Sequence, residues 1–182
     1  MMDSSRNERS PAVFLDRDGT IMRDVNYCSN ASDVHVFPGV AEALRRLKAA
    51  GFKIIVITNQ SGIGRGYFRE ADYRAVELEL ERQLGPGLID ASYFCPDAPD
   101  AGSKRRKPEP AMIFEAQRDH ELDLARSFFV GDKEIDAQCG RNAGVRTIVV
   151  QTGAEEHKAL PAADAIAQDF AQATEIILGH AL

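Results

Sequence analysis

The chain alternates between short continuous apolar runs and segments in which apolar residues recur every three or four positions. The continuous runs are rich in β-branched and aromatic residues and show no polar alternation, which is typical of strands covered on both faces of a sheet. This pattern predicts five strands, at 12–16 (AVFLD), 52–58 (FKIIVIT), 91–95 (ASYFC), 127–132 (SFFVGD) and 146–152 (RTIVVQT).

The segments with helical spacing lie between and after these runs. The first follows Pro38 and stops before Gly51, as expected for a helix start and a helix end. Helices are predicted at 40–50, 70–84, 110–120, 134–143 and 162–178, the last with Ile166, Phe170, Ala173 and Ile177 on one face. Alternating strands and helices predict an α/β fold, a three-layer Rossmann-like parallel sheet with helices on both faces.

Length and composition indicate an ordinary globular protein of 182 residues, 44% hydrophobic and 27% charged. Residues 11–182 are expected to form a single domain. Residues 1–10 carry charges of both signs without an apolar stretch, so we expect a flexible tail and not a signal peptide.

Charge and cysteine content exclude several classes of protein. There are 22 basic against 28 acidic residues, a net charge of −6, which disfavours a nucleic-acid binder. No apolar run approaches the roughly 20 residues of a membrane-spanning helix. The three cysteines are far apart and form no CxxC pair, so neither a disulfide framework nor a Cys-rich zinc site is indicated. A reducing cytoplasm is the expected compartment.

Polar residues collect where the predicted strands end, which is where open α/β sheets bind ligands. Asp16 ends the first strand and Asp18 lies two residues further on, so in an extended backbone their side chains point to the same side. Asp132 ends the fourth strand and adds a third carboxylate. Such hard oxygen donors suit Mg²⁺, while Lys107 and Lys133 would offset the remaining negative charge.

Four segments carry a family resemblance. DRDGT at 16–20, TNQSGIGRG at 58–66, RKP at 106–108 and VGDK at 130–133 resemble the motifs of the haloacid-dehalogenase superfamily of phosphatases, across about residues 12–150. The resemblance is closer to one branch, the D-glycero-D-manno-heptose 1,7-bisphosphate phosphatases and the related histidinol-phosphate phosphatases. It implies a Mg²⁺-dependent enzyme that acts on a small sugar phosphate.

The resemblance also implies roles for individual residues. Asp16 would be the nucleophile that forms an acyl-phosphate, and Asp18 the general acid and base. Thr58 and Lys107 would bind the transferring phosphoryl oxygens. Mg²⁺ would be held by Asp16, Asp132 and the backbone carbonyl of Asp18. The residues expected to contact substrate are Asp24, Val25, Asn26, Tyr27, Thr58, Asn59, Gln60, Ser61, Arg106, Lys107 and Lys133.

Spacing limits the architecture around this site. Only 39 residues separate Asp18 from Thr58 and 48 separate Thr58 from Lys107, and a helix and a strand occupy most of each interval. A folded cap domain needs at least about 50 residues of its own. We therefore expect no cap domain, an open site and a monomer.

One segment departs from the branch. Its members commonly hold a loop zinc with three Cys and one His, in the pattern CxH…CxCRKP. Here the first position is Cys95, but the other three are Asp97, Ser103 and Arg105. With three of four ligands missing, no structural zinc is predicted.

Two other functions remain open. A histidinol-phosphate phosphatase, or a phosphatase for another small phosphomonoester, would use the same scaffold, and no residue separates these substrates decisively. A phospho-acceptor signalling domain also places acids, a Thr and a Lys at strand ends. In that class the phosphorylated Asp lies on a middle strand, whereas here DxD lies on the first strand and Asp132 follows Lys107. That order favours the hydrolase.

Overall fold

The computed structural model describes residues 9–153 and 160–180 of the chain. Its centre is a single sheet of six parallel strands in the order β3-β2-β1-β4-β5-β6. The strands are β1 Ala12–Leu15, β2 Lys53–Asn59, β3 Ala91–Cys95, β4 Phe128–Gly131, β5 Arg146–Val150 and β6 Ala165–Ala167. The prediction of a parallel α/β fold is confirmed.

The helices cover both faces of this sheet. They are α1 Val40–Ala49, α2 Ser61–Gly64, α3 Glu70–Leu84, α4 Ala111–His120, α5 Glu134–Ala143 and α6 Phe170–His180. Three short 3₁₀ turns lie at Ala31–Asp33, Pro99–Ala101 and Leu124–Arg126. At the start of α3 the Arg69 N–H donates to Asp72 Oδ2 at 2.8 Å, which satisfies one of the free donors at that helix end.

The two faces of the sheet carry separate hydrophobic cores, and β1 contributes alternate side chains to both. Val13 and Leu15 of β1 pack on one face with α1, α3 and α6, and Phe14 packs on the other face with α4 and α5. Because β1 is buried on both faces, its polar groups can reach solvent only beyond its ends. The residue that follows β1 is therefore directed to the carboxyl edge of the sheet.

The predicted helix at 162–178 is wrong over its first part. Ala165–Ala167 form β6 beside β5, and Ile166 is exposed instead of lying on the buried face of a helix. The segment is held on β5 by Thr147, whose N–H donates to Asp164 Oδ2 at 2.7 Å and whose hydroxyl donates to the carbonyl of Ala162 at 2.7 Å. The helix begins only at Phe170.

The ends of the predicted domain lie partly outside the described residues. Of the expected tail at 1–10, residues 1–8 are not described, while Ser10 forms a parallel bridge with Leu122 and accepts a bond from the Asp123 N–H at 2.9 Å. Between β1 and β2, and between β2 and Lys107, the described chain forms helices, strand and short loops but no separately folded cap. Within residues 9–153 and 160–180, no helix has the length and apolar character to cross a bilayer.

Candidate active site

The site lies at the carboxyl edge of the three central strands. Asp16 follows β1, Thr58 lies near the end of β2, and Asp132 follows β4. A cavity of about 460 Å³ opens at this edge. It is lined by Asp16, Asp18, Asp24, Asn26, Tyr27, Cys28, Thr58, Asn59, Gln60, Ser61, Arg106, Lys107, Lys133, Glu134, Ile135 and Asp136.

Lys107 is a buried cation between two carboxylates. Its Nζ lies 2.7 Å from Asp16 Oδ1, 2.7 Å from Asp136 Oδ1 and 2.9 Å from the carbonyl oxygen of Ile57. Burial alone would lower the pKa of Lys107, but Asp136 and Asp16 outweigh that effect and raise the pKa well above its usual range. The ammonium group therefore stays charged beside Asp16.

The backbone of Lys107 is held by Asn59. The Asn59 side-chain amide donates to the carbonyl of Lys107 at 3.3 Å, and its oxygen accepts from the Lys107 N–H at 3.1 Å. The Asn59 amide was expected to bind substrate oxygens, but here it binds the backbone of Lys107. Asn59 also lines the cavity. It orients the lysine that contacts Asp16.

Asp132 is fully buried and sparsely hydrogen bonded. Its Oδ1 lies 3.4 Å from the Thr20 hydroxyl, while its Oδ2 accepts no hydrogen bond from any described residue. Gly19, at φ +85°, passes so close that a Cβ there would lie 2.4 Å from Oδ2. Burial, together with the charges of Asp16 and Asp136, raises the pKa of Asp132 to about 8, against the opposing effect of Lys133.

The sequence analysis missed Asp136. The structure brings carboxylate oxygens of Asp16, Asp132 and Asp136 within 4.8 Å of one another, a group that could hold a metal ion. Burial raises the pKa of Asp136 to about 6; Lys107 opposes that rise and Asp16 adds to it. A sequence signal was present, since Asp136 follows Asp132 by four residues and so lies in the first turn of α5.

The Asp18 carboxylate lies on the cavity wall, outside this cluster. It accepts bonds from Arg17 Nε at 3.0 Å, Arg17 Nη2 at 3.2 Å and Gln60 Nε2 at 3.1 Å. Arg17 is itself fully buried over the ring of Tyr73. Burial raises the pKa of Asp18, with Arg17 acting in the opposite direction. That direction favours the protonated form a general acid needs.

Thr58 presents its hydroxyl from the end of β2. The residue is buried, and Gln60 Nε2 donates to Thr58 Oγ1 at 2.9 Å. The same amide also bonds Asp18, so Gln60 links the two predicted catalytic side chains. Ser61 follows at the start of α2 and lines the cavity.

The cavity rim carries charges of both signs. Lys133 Nζ lies 3.3 Å from Asp24 Oδ2, and Arg106 Nη1 lies 3.4 Å from the carbonyl oxygen of Asp97. Val25 is exposed, and unlike the other predicted substrate residues it does not line the cavity. Cys28, Glu134 and Ile135 line it although sequence reasoning did not single them out.

The loop before Arg106 is closed by side-chain contacts. The thiol of Cys95 lies 3.6 Å from Asp97 Oδ2 and 3.6 Å from the Ser103 hydroxyl. Arg105 forms two bonds of 2.9 Å with the Glu115 carboxylate on α4. These contacts hold the loop together at the positions where members of the resembling branch commonly carry zinc ligands.

Comparison with known proteins decides the family. A family model described as HAD-hydrolase-like matches residues 104–173. The D-glycero-D-manno-heptose-1,7-bisphosphate 7-phosphatase of Thermosynechococcus vestitus is 40% identical, over 93% of this chain and 96% of the relative. The chain belongs to the heptose-1,7-bisphosphate 7-phosphatase family of haloacid-dehalogenase-like hydrolases. The resemblance seen in the four sequence motifs is confirmed.

Other members of this heptose bisphosphate phosphatase family agree in sequence and in fold. The D-glycero-beta-D-manno-heptose-1,7-bisphosphate 7-phosphatase of Helicobacter pylori is 41% identical, over 78% of this chain and 83% of the relative. A crystal structure of the D,D-heptose 1,7-bisphosphate phosphatase of B. bronchiseptica, complexed with magnesium and phosphate, superposes with a TM-score of 0.83. The two chains are 31% identical, and the superposition covers 93% of this chain and 99% of the B. bronchiseptica chain. Family members are phosphoric monoester hydrolases, so the prediction of an enzyme is confirmed.

Proposed function

We propose that this chain is a Mg²⁺-dependent phosphatase that removes the 7-phosphate of D-glycero-D-manno-heptose 1,7-bisphosphate. The observation that carries the proposal is the constellation at the strand ends, in which Lys107 Nζ contacts Asp16 and the Asp132 carboxylate lies nearby. The names of the relatives point to the same substrate. The product would serve as a precursor of nucleotide-activated heptose and of lipopolysaccharide.

The carboxylate cluster fits a magnesium ion. Three carboxylates approach within 4.8 Å, and Asp132 Oδ2 has no hydrogen-bond donor in the described chain, so the cluster has negative charge to share with a cation. Asp16, Asp132 and the backbone carbonyl of Asp18 would hold it, with Asp136 beside them. When bound, Mg²⁺ offsets the repulsion between these carboxylates and a phosphate group.

The reaction divides into two displacements at phosphorus. Asp16 attacks the phosphoryl group, Asp18 gives its proton to the departing sugar oxygen, and the P–O bond to the sugar breaks. Asp18 then takes a proton from water, whose oxygen attacks the phosphorus and releases Asp16 and inorganic phosphate. Through both steps Lys107 and Thr58 bind the equatorial oxygens and stabilise their charge.

The rim of the cavity suits the rest of the substrate. Arg106 and Lys133 line the cavity and offer cations to a second phosphate group, and no cap encloses that end within the described chain. Asp24, Asn26, Tyr27 and Ser61 would contact the sugar. We further propose that the enzyme acts as a monomer in the cytoplasm and binds neither nucleic acid nor membrane.

Kinetic comparison of substrates tests this function. Mg²⁺-dependent phosphate release is measured with both heptose bisphosphate anomers and with histidinol phosphate, the substrate of the second candidate function. A preference of about 100-fold in kcat/KM for a heptose bisphosphate, about 2.7 kcal/mol of transition-state binding, supports the proposal. Equal rates, or a preference for histidinol phosphate, would overturn the assignment of heptose bisphosphate as the substrate. A single stoichiometric phosphorylation without turnover would overturn the proposal that the protein is a hydrolase and would favour a phospho-acceptor domain.

A further inference from the structure

Two tyrosines form an exposed aromatic pair at the rim of the cavity. Tyr27 lines the cavity and is 39% exposed, and Tyr67, just after α2, is 60% exposed. Their ring centroids lie 4.9 Å apart with an interplanar angle of 86°, an edge-to-face contact. Exposed apolar surface that borders a polar cavity is typical of ligand-binding sites.

The backbone at Tyr27 adopts a conformation that side chains disfavour. Asn26 has φ +50° and Tyr27 has φ +60°, both in the left-handed region. The turn is supported by Asp24, whose Oδ1 accepts a bond from the Asn26 N–H at 3.0 Å. Left-handed residues other than glycine cluster at ligand-binding sites, and here the conformation places the Tyr27 ring beside the cavity.

The Tyr27 ring also contacts α2. A Cβ at Gly62 would lie 2.9 Å from Tyr27 Cδ1 and 2.1 Å from Phe68 Cε1, so only glycine lets the α2 backbone approach both rings. Gly62 follows Ser61, a cavity residue, in the chain. Tyr27 is therefore positioned by the α2 backbone and by the ring of Tyr67.

We propose that Tyr67 is a positioning residue, which holds the Tyr27 ring where it can pack against the carbon framework of the sugar phosphate. The inference rests on the proposed function, because it concerns how that same site distinguishes sugar phosphates. Arg106 and Lys133 supply charge at the rim, whereas the tyrosine pair supplies the apolar surface that the C–H groups of a sugar need.

Substitution of Tyr67 tests the inference on two substrates. Heptose 1,7-bisphosphate carries the sugar, and acetyl phosphate carries the phosphoryl group without one. In Tyr67→Ala we expect KM for the bisphosphate to rise about tenfold with little change in kcat, and kcat/KM for acetyl phosphate to stay within about twofold of wild type. Tyr67→Phe keeps the ring and is expected to restore the wild-type KM.

Two further variants keep the test decisive. Leu78→Ala removes a similarly exposed apolar side chain from α3 and is the matched control, with wild-type kinetics expected. Tyr67→Leu keeps an apolar side chain without the ring. If the alanine variant is too unstable to assay, KM is measured with the leucine variant instead. An unchanged KM in the Tyr67 variants, or an equal loss on both substrates, overturns the inference. A wild-type enzyme inactive on heptose bisphosphate overturns the proposed function instead.

Discussion

Lys107 and Asp136 form an ion pair of 2.7 Å in which the two side chains are only 3% and 1% exposed. The Lys107 ammonium group is buried between this carboxylate and that of Asp16, and the two negative charges offset its desolvation. Asp136 thus holds the lysine ammonium against Asp16, the residue proposed to attack phosphorus. The pair connects the start of α5 to the loop after β3 and assembles the centre of the site.

Asp136→Asn keeps the side-chain shape and removes one of these charges. We expect the free energy of unfolding to change by less than about 2 kcal/mol at pH 7, because Lys107 keeps Asp16 as a buried partner and the raised pKa of Asp136 means that folding disfavours the charge removed. We also expect kcat/KM to fall at least about tenfold, because the ammonium group is no longer fixed beside Asp16. Urea denaturation and phosphate release measure the two effects.

Glu42→Gln is the control for this substitution, since Glu42 forms an exposed ion pair with Arg45 on α1. It should leave both quantities near wild type. Wild-type kinetics in Asp136→Asn would show that the buried pair does not position Lys107.

Asp16→Asn tests the nucleophile. An amide of the same shape cannot form the acyl-phosphate, so phosphate release should fall by at least about 1,000-fold. The side chain is buried and the substitution is isosteric, so circular dichroism should still show a folded protein. Release at a rate similar to wild type would contradict a covalent intermediate on Asp16.

The strands of the central sheet could be predicted because their signal is local. β2, for example, is continuously apolar from Ile54 to Ile57, and burial on both faces of the sheet accounts for that. β6 could not be predicted, because it is three residues long and Ile166 falls at helical spacing from Phe170. What keeps it a strand is the bond between Asp164 and Thr147, which no local pattern displays.

The side chains proposed to be catalytic were predicted from motifs, whereas Asp136 was missed for a physical reason. An acid in the first turn of a helix is ordinary helix-capping chemistry, and Asp136 does accept the Lys133 N–H at 3.1 Å. Its contact with Lys107, 29 residues away, depends on how α5 packs on the sheet. Likewise, the bonds of Asn59 to the Lys107 backbone become visible only in three dimensions.

Asp90 should make stability depend on pH. Its carboxylate accepts from the Ile54 N–H at 2.8 Å and from Lys48 Nζ at 2.9 Å. Burial alone would raise its pKa, but these partners outweigh burial and lower it. A pKa lower in the folded than in the unfolded chain contributes stability above about pH 4, and the contribution is lost as pH falls through the folded value.

We therefore expect Asp90→Asn to lower the free energy of unfolding by about 1–3 kcal/mol at pH 7 and by clearly less near pH 3. Urea denaturation at both pH values measures the difference. An equal difference in the free energy of unfolding between variant and wild type at pH 7 and pH 3 would contradict the role of the Asp90 charge.

The contact between Arg105 and Glu115 should act on substrate binding more than on stability. Both side chains are partly exposed, so Glu115→Gln should change the free energy of unfolding by less than about 1 kcal/mol. Arg106 follows Arg105 at the rim, so a looser loop should raise KM for the bisphosphate about threefold with kcat unchanged.

Glu79→Gln is the matched control for Glu115→Gln, because Glu79 pairs with Arg82 on α3 in the same bidentate way. It should leave KM unaltered. The same shift in both variants would mean that the loop contact has no specific influence on binding.

The position of β1 at the centre of the sheet has a consequence for folding. Asp16 follows β1, yet its partner Lys107 lies 91 residues further along the chain. Asp132 follows β4, which pairs with β1 on the side away from β2. Contacts between segments so distant in sequence form slowly, whereas single helices form early. During refolding, helical signal should therefore return before phosphatase activity, which makes turnover a sensitive reporter of the fully assembled sheet.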